Sequence, residues 1–588
     1  MKTKMRRMLA AIALSVLTVQ ASPQTNNLTI EGRVLLKSTS QAVPDVLVLL
    51  GGAADTSAVA TAVPPGGNLA AQIQTLRARL ATQTASQFID ESVRGVLRAA
   101  GSSASSARFA FTDNAGRFAF SNLAPGTYTV HAAREGYFGP KVNGVYQPSY
   151  VKTVELKPED SLVSLDVGLA QGGVIKGHVS GSRAIGNRTS VTAYRLRYLN
   201  GAEKWISELV ANADFRGDFL LQWVAPGDVY VGAQGMFFKD VVQTDMATKI
   251  VVKEGETVAI DLNIQQAALT QPRRVSGSAL NAYAPPNAVG VVDFSVSTFL
   301  VAPRNPSVLD EPYTRFTNSL NSRDGRRANG EFEIGPVLPG VYELISYYTD
   351  PATRRTLIGR APFQVVNSNV TALSAPIRPG ATLSGEFKVN GIGAENIGPG
   401  TFSLELESLG LVPTVLVVEP NPIVIDASGR FTALNLPEER YRFHVGHLPL
   451  SAYVEDIRVT SRSVFDEGYE LGAGTGEVQI VIRTDGQSVG GTVRSADGIP
   501  REAATVVLVP PQERRKNPAR YRTANTDSNG VFRMTDVPPG DYTVFAWENV
   551  LPTAWMNPKF FEKYAKLGRS VTVTAGGPLD LQLSIIPE

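Results

Sequence analysis

The chain has 588 residues and a formal net charge of +2, from 56 Lys and Arg against 54 Asp and Glu. This length is too great for one hydrophobic core and predicts four or five domains of roughly 100–150 residues each. The composition, with 43% hydrophobic and 19% charged residues, is typical of a globular protein and not of a disordered one. The near-neutral charge gives no electrostatic reason to expect a nucleic-acid partner, and the lack of cysteine excludes disulfides, thiolate metal sites and cysteine catalysis.

The first residues have the pattern of a secretory signal peptide. A basic stretch, Lys2 to Arg7, precedes a twelve-residue apolar run, Met8 to Val19, and Val19-Gln20-Ala21 offers small residues at the two positions read for cleavage. The run is too short to span a bilayer, which needs about 20 residues. We therefore expect cleavage after Ala21 and an exported mature chain without a transmembrane segment, in the periplasm or at the surface of a bacterium.

An apolar-x-Gly-x-apolar pattern recurs five times along the chain. Its glycines are Gly32, Gly177, Gly277, Gly385 and Gly491. Because side chains alternate across a strand, the glycine and the two apolar residues share one face. Glycine at the centre predicts that another backbone or a large ring passes close to that face.

A longer block follows each glycine strand. It reads TDNAGRFAFSNLAPGTY in the first unit and TDSNGVFRMTDVPPGDY in the last, and the fourth copy has lost its Pro-Gly. A glycine precedes a tyrosine by twelve residues in four units, as Gly116 precedes Tyr128 and Gly530 precedes Tyr542. We interpret the block as a strand pair: an Asp-x-x-Gly turn, an alternating strand, a Pro-Gly turn and a returning Tyr-x-Val strand.

The block supplies a set of predicted structural turn residues. They are Asp113, Gly116, Pro125, Gly126, Asp214, Gly217, Gly227, Gly330, Gly340, Asp426, Gly429, Asp527, Gly530, Pro539 and Gly540. Each aspartate is expected to cap backbone N–H groups while the glycine takes a positive φ. One aspartate per loop is far short of the six to eight oxygen ligands that calcium takes, so no metal or other cofactor is expected.

Each unit ends on a strand of alternating apolar residues, such as Val163 to Leu169 in the first. Short strands with regular turns predict an all-β chain, a tandem array of about five antiparallel β-sandwich domains of the transthyretin- or immunoglobulin-like kind. After the signal peptide at 1–21, the predicted domains span residues 22–171, 172–268, 269–374, 375–484 and 485–588, of which the fourth is divergent.

The first unit contains extra sequence. Gly32 and Gly116 are 84 residues apart, against roughly 40–50 for the equivalent glycines elsewhere. The excess, at about residues 66–100, has apolar residues at helical spacing, beginning with Leu69 and Ile73. We interpret it as a helical lid packed on the sandwich edge, with a partner-docking helical hairpin as the alternative.

The last unit contains one short predicted helix. Asn557 is a favourable N-cap, Pro558 suits the first helical position, and Gly568 suits the stop, so Lys559 to Leu567 is predicted to be helical. Aromatic residues cluster around it: Trp547, Trp555, Phe560, Phe561 and Tyr564. Core packing is the expected role of most of them.

The x-Gly-x-Val strand together with Thr-Asp-x-x-Gly-x-Phe…Pro-Gly-x-Tyr resembles the carboxypeptidase regulatory-like domain. The match is good in units one, two and five, fair in three and weak in four. The resemblance implies a transthyretin-like sandwich of the carbohydrate-binding-like fold, and no peptidase activity of its own. The whole chain is similar to tandem proteins of this type found in Acidobacteria.

The histidines do not form a peptidase motif. The four are His131, His178, His444 and His447, none begins His-x-x-Glu, and no His-Glu-x-x-His is present. His444 and His447 are three residues apart in a predicted strand, which places them on opposite faces. No Gly-x-Ser-x-Gly occurs either. A glycosidase with two carboxylates needs a large cleft, which units of about 100 residues seldom form alone, so we interpret the chain as a non-enzyme.

Two classes of function stay open. The first is a structural, adhesive or interaction scaffold at the cell envelope, with an envelope protein as partner. The second is a carbohydrate-binding protein with a glycan as partner, which exposed aromatic side chains would favour. Trp555 is the better candidate for a glycan contact because it lies between Pro552 and Pro558 in a predicted loop, and Trp547 is the second candidate.

Overall fold

The computed structural model describes residues 28–52, 108–181, 189–241, 246–264, 273–279, 298–303, 314–317, 331–337, 339–349, 356–377, 380–410, 423–472 and 475–587. The predicted signal peptide at 1–21 and the predicted helical insertion at 66–100 lie outside the described residues. The described elements are strands with one α-helix and a few 3-10 turns, which confirms the all-β prediction.

The first unit is a sandwich of two four-stranded sheets. Its strands are β1 (Leu28–Leu36), β2 (Leu47–Gly52), β3 (Arg108–Phe111), β4 (Arg117–Leu123), β5 (Gly126–Ala133), β6 (Tyr137–Phe138), β7 (Lys141–Val142), β8 (Val145–Tyr146), β9 (Tyr150–Leu156) and β10 (Leu162–Gln171). One sheet has the order β4-β1-β10-β6 and the other β3-β2-β5-β9, while β7 and β8 pair as a small hairpin.

The second unit repeats this plan. Its strands are β11 (Gly173–Ser180), β12 (Ser190–Leu199), β13 (Ala202–Asn212), β14 (Asp218–Val224), β15 (Gly227–Ala233), β16 (Met236–Phe237), β17 (Ile250–Val252) and β18 (Thr257–Asn263). The sheets are β14-β11-β18 and β13-β12-β15-β16, and β17 pairs with β15.

The third and fourth units keep the same central strands. The third contains β19 (Arg273–Ser278), β20 (Thr298–Pro303), β21 (Thr314–Thr317), β22 (Glu331–Val337), β23 (Gly340–Thr349), β24 (Thr356–Val365) and β25 (Val370–Ser374). The fourth contains β26 (Ala381–Asn390), β27 (Ser403–Ser408), β28 (Arg430–Leu436), β29 (Arg440–Gly446), β30 (Tyr453–Val459), β31 (Arg462–Ser463), β32 (Tyr469–Glu470) and β33 (Thr475–Arg483). In the fourth unit β30 pairs with the closing strand in the sheet β28-β26-β33-β30-β31, as β6 does in the first unit, and the facing sheet is β27-β29-β32.

The fifth unit adds a helix to the sandwich. Its elements are β34 (Gln487–Arg494), β35 (Thr505–Val509), β36 (Arg522–Asn525), β37 (Val531–Val537), β38 (Gly540–Trp547), α1 (Pro558–Tyr564), β39 (Arg569–Val573) and β40 (Leu579–Ser584). The sheets are β37-β34-β40 and β36-β35-β38-β39. The predicted short helix is confirmed, with its last residues, Ala565–Leu567, in a 3-10 turn before Gly568.

The glycine strand is the centre of one sheet in every unit. In the first unit β1 pairs antiparallel with β4 and parallel with the closing strand β10. The same two pairings occur around β11, β19, β26 and β34. Each sandwich therefore contains one parallel pair within an otherwise antiparallel fold.

The predicted close approach to the central glycine is confirmed. A methyl group placed on Gly32 would lie 1.9 Å from the carbonyl oxygen of Leu165 and 2.8 Å from the ring of Phe118. On Gly177 it would lie 1.7 Å from the carbonyl oxygen of Ile260. The same clash with the closing strand recurs at Gly277, Gly385 and Gly491, so a side chain at any of these positions would separate the parallel pair.

The interpretation of the repeated block as a strand pair is wrong. β4 and β5 flank the Pro-Gly of the first unit, yet they belong to opposite sheets of the sandwich, and the same is true of β37 and β38 in the fifth. The Pro-Gly connection therefore crosses the core from one sheet to the other. Both strands bury their alternate residues between the sheets, so an alternating pattern fits a crossing as well as a hairpin.

The contacts divide the chain into two compact units. One comprises residues 1–140 and 147–171, and the other comprises 141–146 and 172–588. The larger one therefore contains the second to fifth sandwiches. Among the described residues, no helix combines the length and the apolar character needed to cross a membrane.

Candidate functional site

The Asp-x-x-Gly turns are closed by the aspartate side chain. In the first unit Oδ1 of Asp113 accepts the backbone N–H groups of Ala115 at 2.9 Å and Arg117 at 2.8 Å, and Gly116 has a φ of +72°. These hydrogen bonds, that of Arg117 first, hold the pKa of Asp113 below its ordinary value. The same two acceptances recur at Asp214, Asp426 and Asp527.

The turn glycines have left-handed backbone. Positive φ values occur at Gly116, Gly217, Gly429 and Gly530 in the turns, and at Gly126, Gly227 and Gly540 in the crossings. Gly340 follows the third crossing without a positive φ, and Gly330 lies outside the described residues. Pro125 and Pro539 occupy the bends immediately before their glycines.

The repeated tyrosine hydrogen-bonds the crossing loop in the first, fourth and fifth units. The hydroxyl of Tyr128 donates to the carbonyl oxygen of Ala124 at 2.9 Å, that of Tyr441 to Pro437 at 2.9 Å, and that of Tyr542 to Pro538 at 3.0 Å. The sequence shows this as the constant spacing between the turn glycine and the tyrosine, although the bond itself was not predicted. Because the partner is four residues earlier, the tyrosine holds the loop to its own strand.

The threonine before the turn aspartate is a second residue that the sequence analysis missed. Thr112 is buried, and its Oγ1 accepts the N–H of Val46 at 2.9 Å and donates to the carbonyl of Val43 at 2.8 Å. Thr526 makes the equivalent bonds in the fifth unit. The recurring Thr-Asp dipeptide was the available signal.

The four histidines lie in the first, second and fourth units. Burial lowers the pKa of His131, and Nδ1 of His178 lies 3.0 Å from Oδ1 of Asp218. His447 lies beyond the end of β29 at a φ of 56°, so its predicted place in the strand opposite His444 is corrected. Within the described part of the chain, no three His, Cys, Asp or Glu residues are grouped to hold a metal ion.

The two tryptophans proposed as glycan contacts are buried. Trp547 is 1% exposed and Trp555 is 7% exposed, and their rings lie 6.4 Å apart with an interplanar angle of 17°. The expectation that Trp555 presents a flat surface in an open loop is therefore corrected. Both residues belong to a second apolar core outside the sandwich: Val507, Val509, Tyr521, Phe545, Trp547, Val550, Ala554, Trp555 and Ile586.

Helix α1 explains this second core. Oδ1 of Asn557 accepts the N–H of Phe560 at 3.0 Å, which caps the helix as predicted. Phe560, Phe561 and Tyr564 pack from the helix onto the outer face of the sheet containing β38. That sheet is covered on both faces, and all five residues of β35 are buried.

The β12–β13 hairpin of the second unit contacts the segment before α1. Its two-residue turn, Asn200 and Gly201, has positive φ at both positions, 49° and 80°. Nδ2 of Asn557 donates to the carbonyl oxygen of Gly201 at 2.8 Å, and Oγ1 of Thr553 donates to that of Tyr198 at 3.0 Å. A methyl group on Gly201 would lie 2.8 Å from Met556, so the turn fits against the fifth unit only as glycine.

The fourth and fifth units meet through the long loop between β35 and β36. Nε of Arg520 donates to Asp466 at 2.7 Å, and its second nitrogen donates to the other carboxylate oxygen at 3.1 Å. The guanidinium lies 4.3 Å from the ring centroid of Phe465. Asn517 is fully buried, donates to the carbonyl of Phe465 at 2.6 Å and accepts the N–H of Ala519 at 2.9 Å.

Glu407 joins the second and fourth units. One carboxylate oxygen accepts from His444 at 2.9 Å and Arg442 at 3.0 Å, and the other accepts from Asn200 at 3.2 Å. The hydrogen bond to His444 is the first cause that lowers the pKa of Glu407, and the charge of Arg442 adds to it. Arg360 and the buried Glu439 form a corresponding ion pair between the third and fourth units.

The first unit has a shallow groove of about 690 Å³ on the outer face of its sheet β4-β1-β10. Charges of both signs line it, among them Glu31, Arg33, Arg117 and Asp166. The ion pair between Asp113 and Arg117 at its rim is largely exposed. The groove can offer hydrogen bonds to a polar molecule, but its mixed charges do not select an anion or a cation.

Comparison with known families confirms the resemblance in the fifth unit. Residues 488–585 match the family model of the carboxypeptidase regulatory-like domain. No curated protein matches the chain.

Solved structures that match the chain include two pilins. The minor pilin GBS52 of Streptococcus agalactiae is 14% identical, with 40% of this chain and 94% of that chain covered and a TM-score of 0.21. The full-length major pilin RrgB of Streptococcus pneumoniae is 9% identical, with coverages of 96% and 100% and a TM-score of 0.19. A protein described as a candidate carbohydrate binding protein, from Pseudomonas aeruginosa, is 18% identical, with coverages of 25% and 92% and a TM-score of 0.13.

Proposed function

We propose that the chain is a non-catalytic scaffold of the bacterial cell envelope, whose second to fifth β-sandwich units hold one another in a set orientation. The proposal rests chiefly on the contact between the fourth and fifth units. There the fully buried Asn517 and a bidentate ion pair between Arg520 and Asp466 join the two units. The sequence repeat alone does not predict such a connection.

The chemistry of this contact favours one fixed geometry over a flexible link. Arg520 is 12% exposed and Asp466 is 22% exposed, so both charges are largely removed from water. A planar guanidinium that meets a carboxylate through two hydrogen bonds and stacks on an aromatic ring tolerates little rotation. Removing one partner of such a pair costs about 3–5 kcal/mol when the pair is buried.

The scaffold proposal predicts that Arg520→Ala uncouples the fourth and fifth units. Calorimetry of the full chain should then show a separate transition of the fifth unit at a lower temperature than in the parent. Lys516→Ala is the matched control. Lys516 lies in the same loop as Arg520 and pairs with Glu467 of the fourth unit at 2.8 Å, but both side chains are more than half exposed, so the substitution should change the melting profile little. An Arg520→Ala chain that melts like the parent would contradict the proposal.

The non-catalytic part of the proposal has its own test. The purified chain should not hydrolyse peptides with free C-termini, either with added zinc or after treatment with a chelator. Hydrolysis that zinc restores after chelation would show that the chain is a peptidase and would overturn this part.

Export is supported by the basic and apolar pattern before Ala21. Residues 1–30 fused to a reporter enzyme that is active only outside the cytoplasm should give activity. Replacing Lys2, Lys4, Arg6 and Arg7 with glutamate should abolish it. A reporter that stays inactive with the parent segment would remove the envelope location from the proposal.

A further inference from the structure

One tryptophan of the chain differs from the other three in its exposure. Trp205, Trp547 and Trp555 are buried, at 4%, 1% and 7% exposure, whereas Trp223 is 40% exposed. Trp223 lies near the end of β14, an edge strand of the sheet β14-β11-β18 in the second unit. It is thus the tryptophan with a surface available to a ligand.

The backbone at Trp223 is unusual for an aromatic residue. Gln222 and Trp223 together oppose Val174 in a β-bulge, and Trp223 has a φ of 61°. At the same bulge the first unit has Asn122, with φ 57°, and the fifth has Asp536, with φ 58°. Asn and Asp tolerate left-handed backbone because their short polar side chains hydrogen-bond locally, whereas a bulky residue there is strained.

Strain of this kind persists where the side chain has a use that outweighs it. Packing in the core does not fully account for a tryptophan at this position, since Trp223 is 40% exposed. The equivalent bulges show that the fold forms with Asn or Asp at this position. The tryptophan therefore points to recognition rather than to folding.

The surface beside Trp223 mixes polar and apolar side chains. The exposed residues on the outward face of the three strands include Leu220, Gln222, Lys176, Thr257 and Ala259. Strand pairing puts Lys176 between Leu220 and Ala259, and Val174 between the bulge and Thr257. Val174 is therefore the cross-strand neighbour of the bulge, and the amide of Gln222, the ammonium of Lys176 and the hydroxyl of Thr257 lie on the same face around it.

This combination selects the chemistry of the ligand. A stable protein interface commonly has a contiguous apolar core, and here Gln222 and Lys176 separate Leu220 from Trp223. A pyranose ring has an apolar face that stacks on a flat aromatic surface, and hydroxyl groups around its edge that need hydrogen-bond partners. The face supplies both within neighbouring strands.

We propose that the outward face of β14 and β11 in the second unit is a carbohydrate-binding site centred on Trp223. The indole stacks on a sugar ring, and Gln222 and Lys176 hydrogen-bond its hydroxyl groups. The proposal goes beyond the scaffold function and is independent of the contact between the fourth and fifth units.

The test uses the full chain on an array of bacterial and plant glycans, followed by titration with the best soluble oligosaccharide from that array. Trp223→Asn installs the side chain that the first unit has at this bulge, so it removes the platform and relieves the backbone. We expect at least a tenfold loss of binding, with a melting temperature equal to or above that of the parent. Phe215→Ala is the control, since Phe215 is 76% exposed and lies in the turn before β14, whose other end contains Trp223.

The outcomes separate clearly. Loss of binding in Trp223→Asn with Phe215→Ala unchanged supports the site. Three results would overturn it: a parent chain that binds no glycan, a Trp223→Asn chain that binds like the parent, or a Trp223→Asn chain that melts well below the parent, which would show that the tryptophan serves packing.

Discussion

At the residue scale, glycine has two separate roles in this fold. Gly32 and its equivalents have no room for a Cβ, because the closing strand passes at contact distance. Gly530 and the other turn glycines have left-handed backbone, and some of them also lack room. Either role makes glycine necessary, but the first concerns strand pairing and the second concerns the turn.

Gly530→Val is expected to destabilise the fifth unit by a few kcal/mol. The φ of Gly530 is +74°, and a Cβ there would lie 2.6 Å from the carbonyl oxygen of Val493. Gly498→Ala is a graded control, since Gly498 has a φ of +78° with no atom within 4 Å of its Cβ position and should cost about 1 kcal/mol. Calorimetry of the full chain measures both, and equal melting profiles of Gly530→Val and parent would disprove the turn assignment.

At the element scale, helix α1 both covers an apolar core of its own unit and contributes to the contact with the second unit. The helix closes a second apolar core over the outer face of its sheet, and its N-cap residue also bonds the β12–β13 hairpin of the second unit. One side chain thus uses its oxygen within its own unit and its nitrogen toward another. The amide offers an acceptor and an N–H donor on separate atoms, whereas the carboxylate of an aspartate cap only accepts.

Substitutions at Asn557 should separate these two bonds. Asn557→Asp keeps an acceptor for the helix cap and loses the donor to Gly201, whereas Asn557→Ala loses both. We expect Asn557→Ala to cost about 1 kcal/mol for the cap and about 1 kcal/mol more for the lost hydrogen bond, with Asn557→Asp in between. Denaturant unfolding of the full chain measures the order, and an Asn557→Asp chain as stable as the parent would exclude a contribution from the hairpin contact.

At the scale of the whole molecule, the larger compact unit is held by bonds that cross between sandwiches. Glu407 connects the second and fourth, Arg520 the fourth and fifth, and Asn557 the second and fifth. Two of these three bonds join units that are not neighbours along the chain. The second to fifth sandwiches are therefore expected to unfold with more cooperativity than independent repeats would show.

Acid should weaken this coupling through Glu407. Because its pKa in the folded chain is lowered from the ordinary value of 4.5, its stabilising contribution is present above about pH 4.5 and is lost as the pH falls through the lowered pKa. Glu407→Gln should reduce stability at pH 7 and flatten the acid dependence of the melting temperature. Glu405→Gln, on the same strand and exposed, is the control, and an unchanged acid dependence in Glu407→Gln would rule out this role.

The sequence by itself determined the β-sandwich class, the recurrence of the glycine strand, the close approach at that glycine and the cap and extent of α1. These features depend on local conformation or on a period of two, which neighbouring residues encode. The family match of residues 488–585 agrees with the motif on which the resemblance rested.

Only the tertiary structure decided how those elements meet. Alternation along β4 and β5 is the same whether they form a hairpin or cross between sheets, so the Pro-Gly crossing could not be distinguished from a turn. Trp555 was expected to be exposed because it lies between prolines, but a helix folded over the sheet buries it. Conversely, Trp223 lies in an alternating strand that predicts burial, and a single-residue bulge turns it toward solvent. Exposure depends on which surfaces the chain brings together, and residues far apart in sequence determine that.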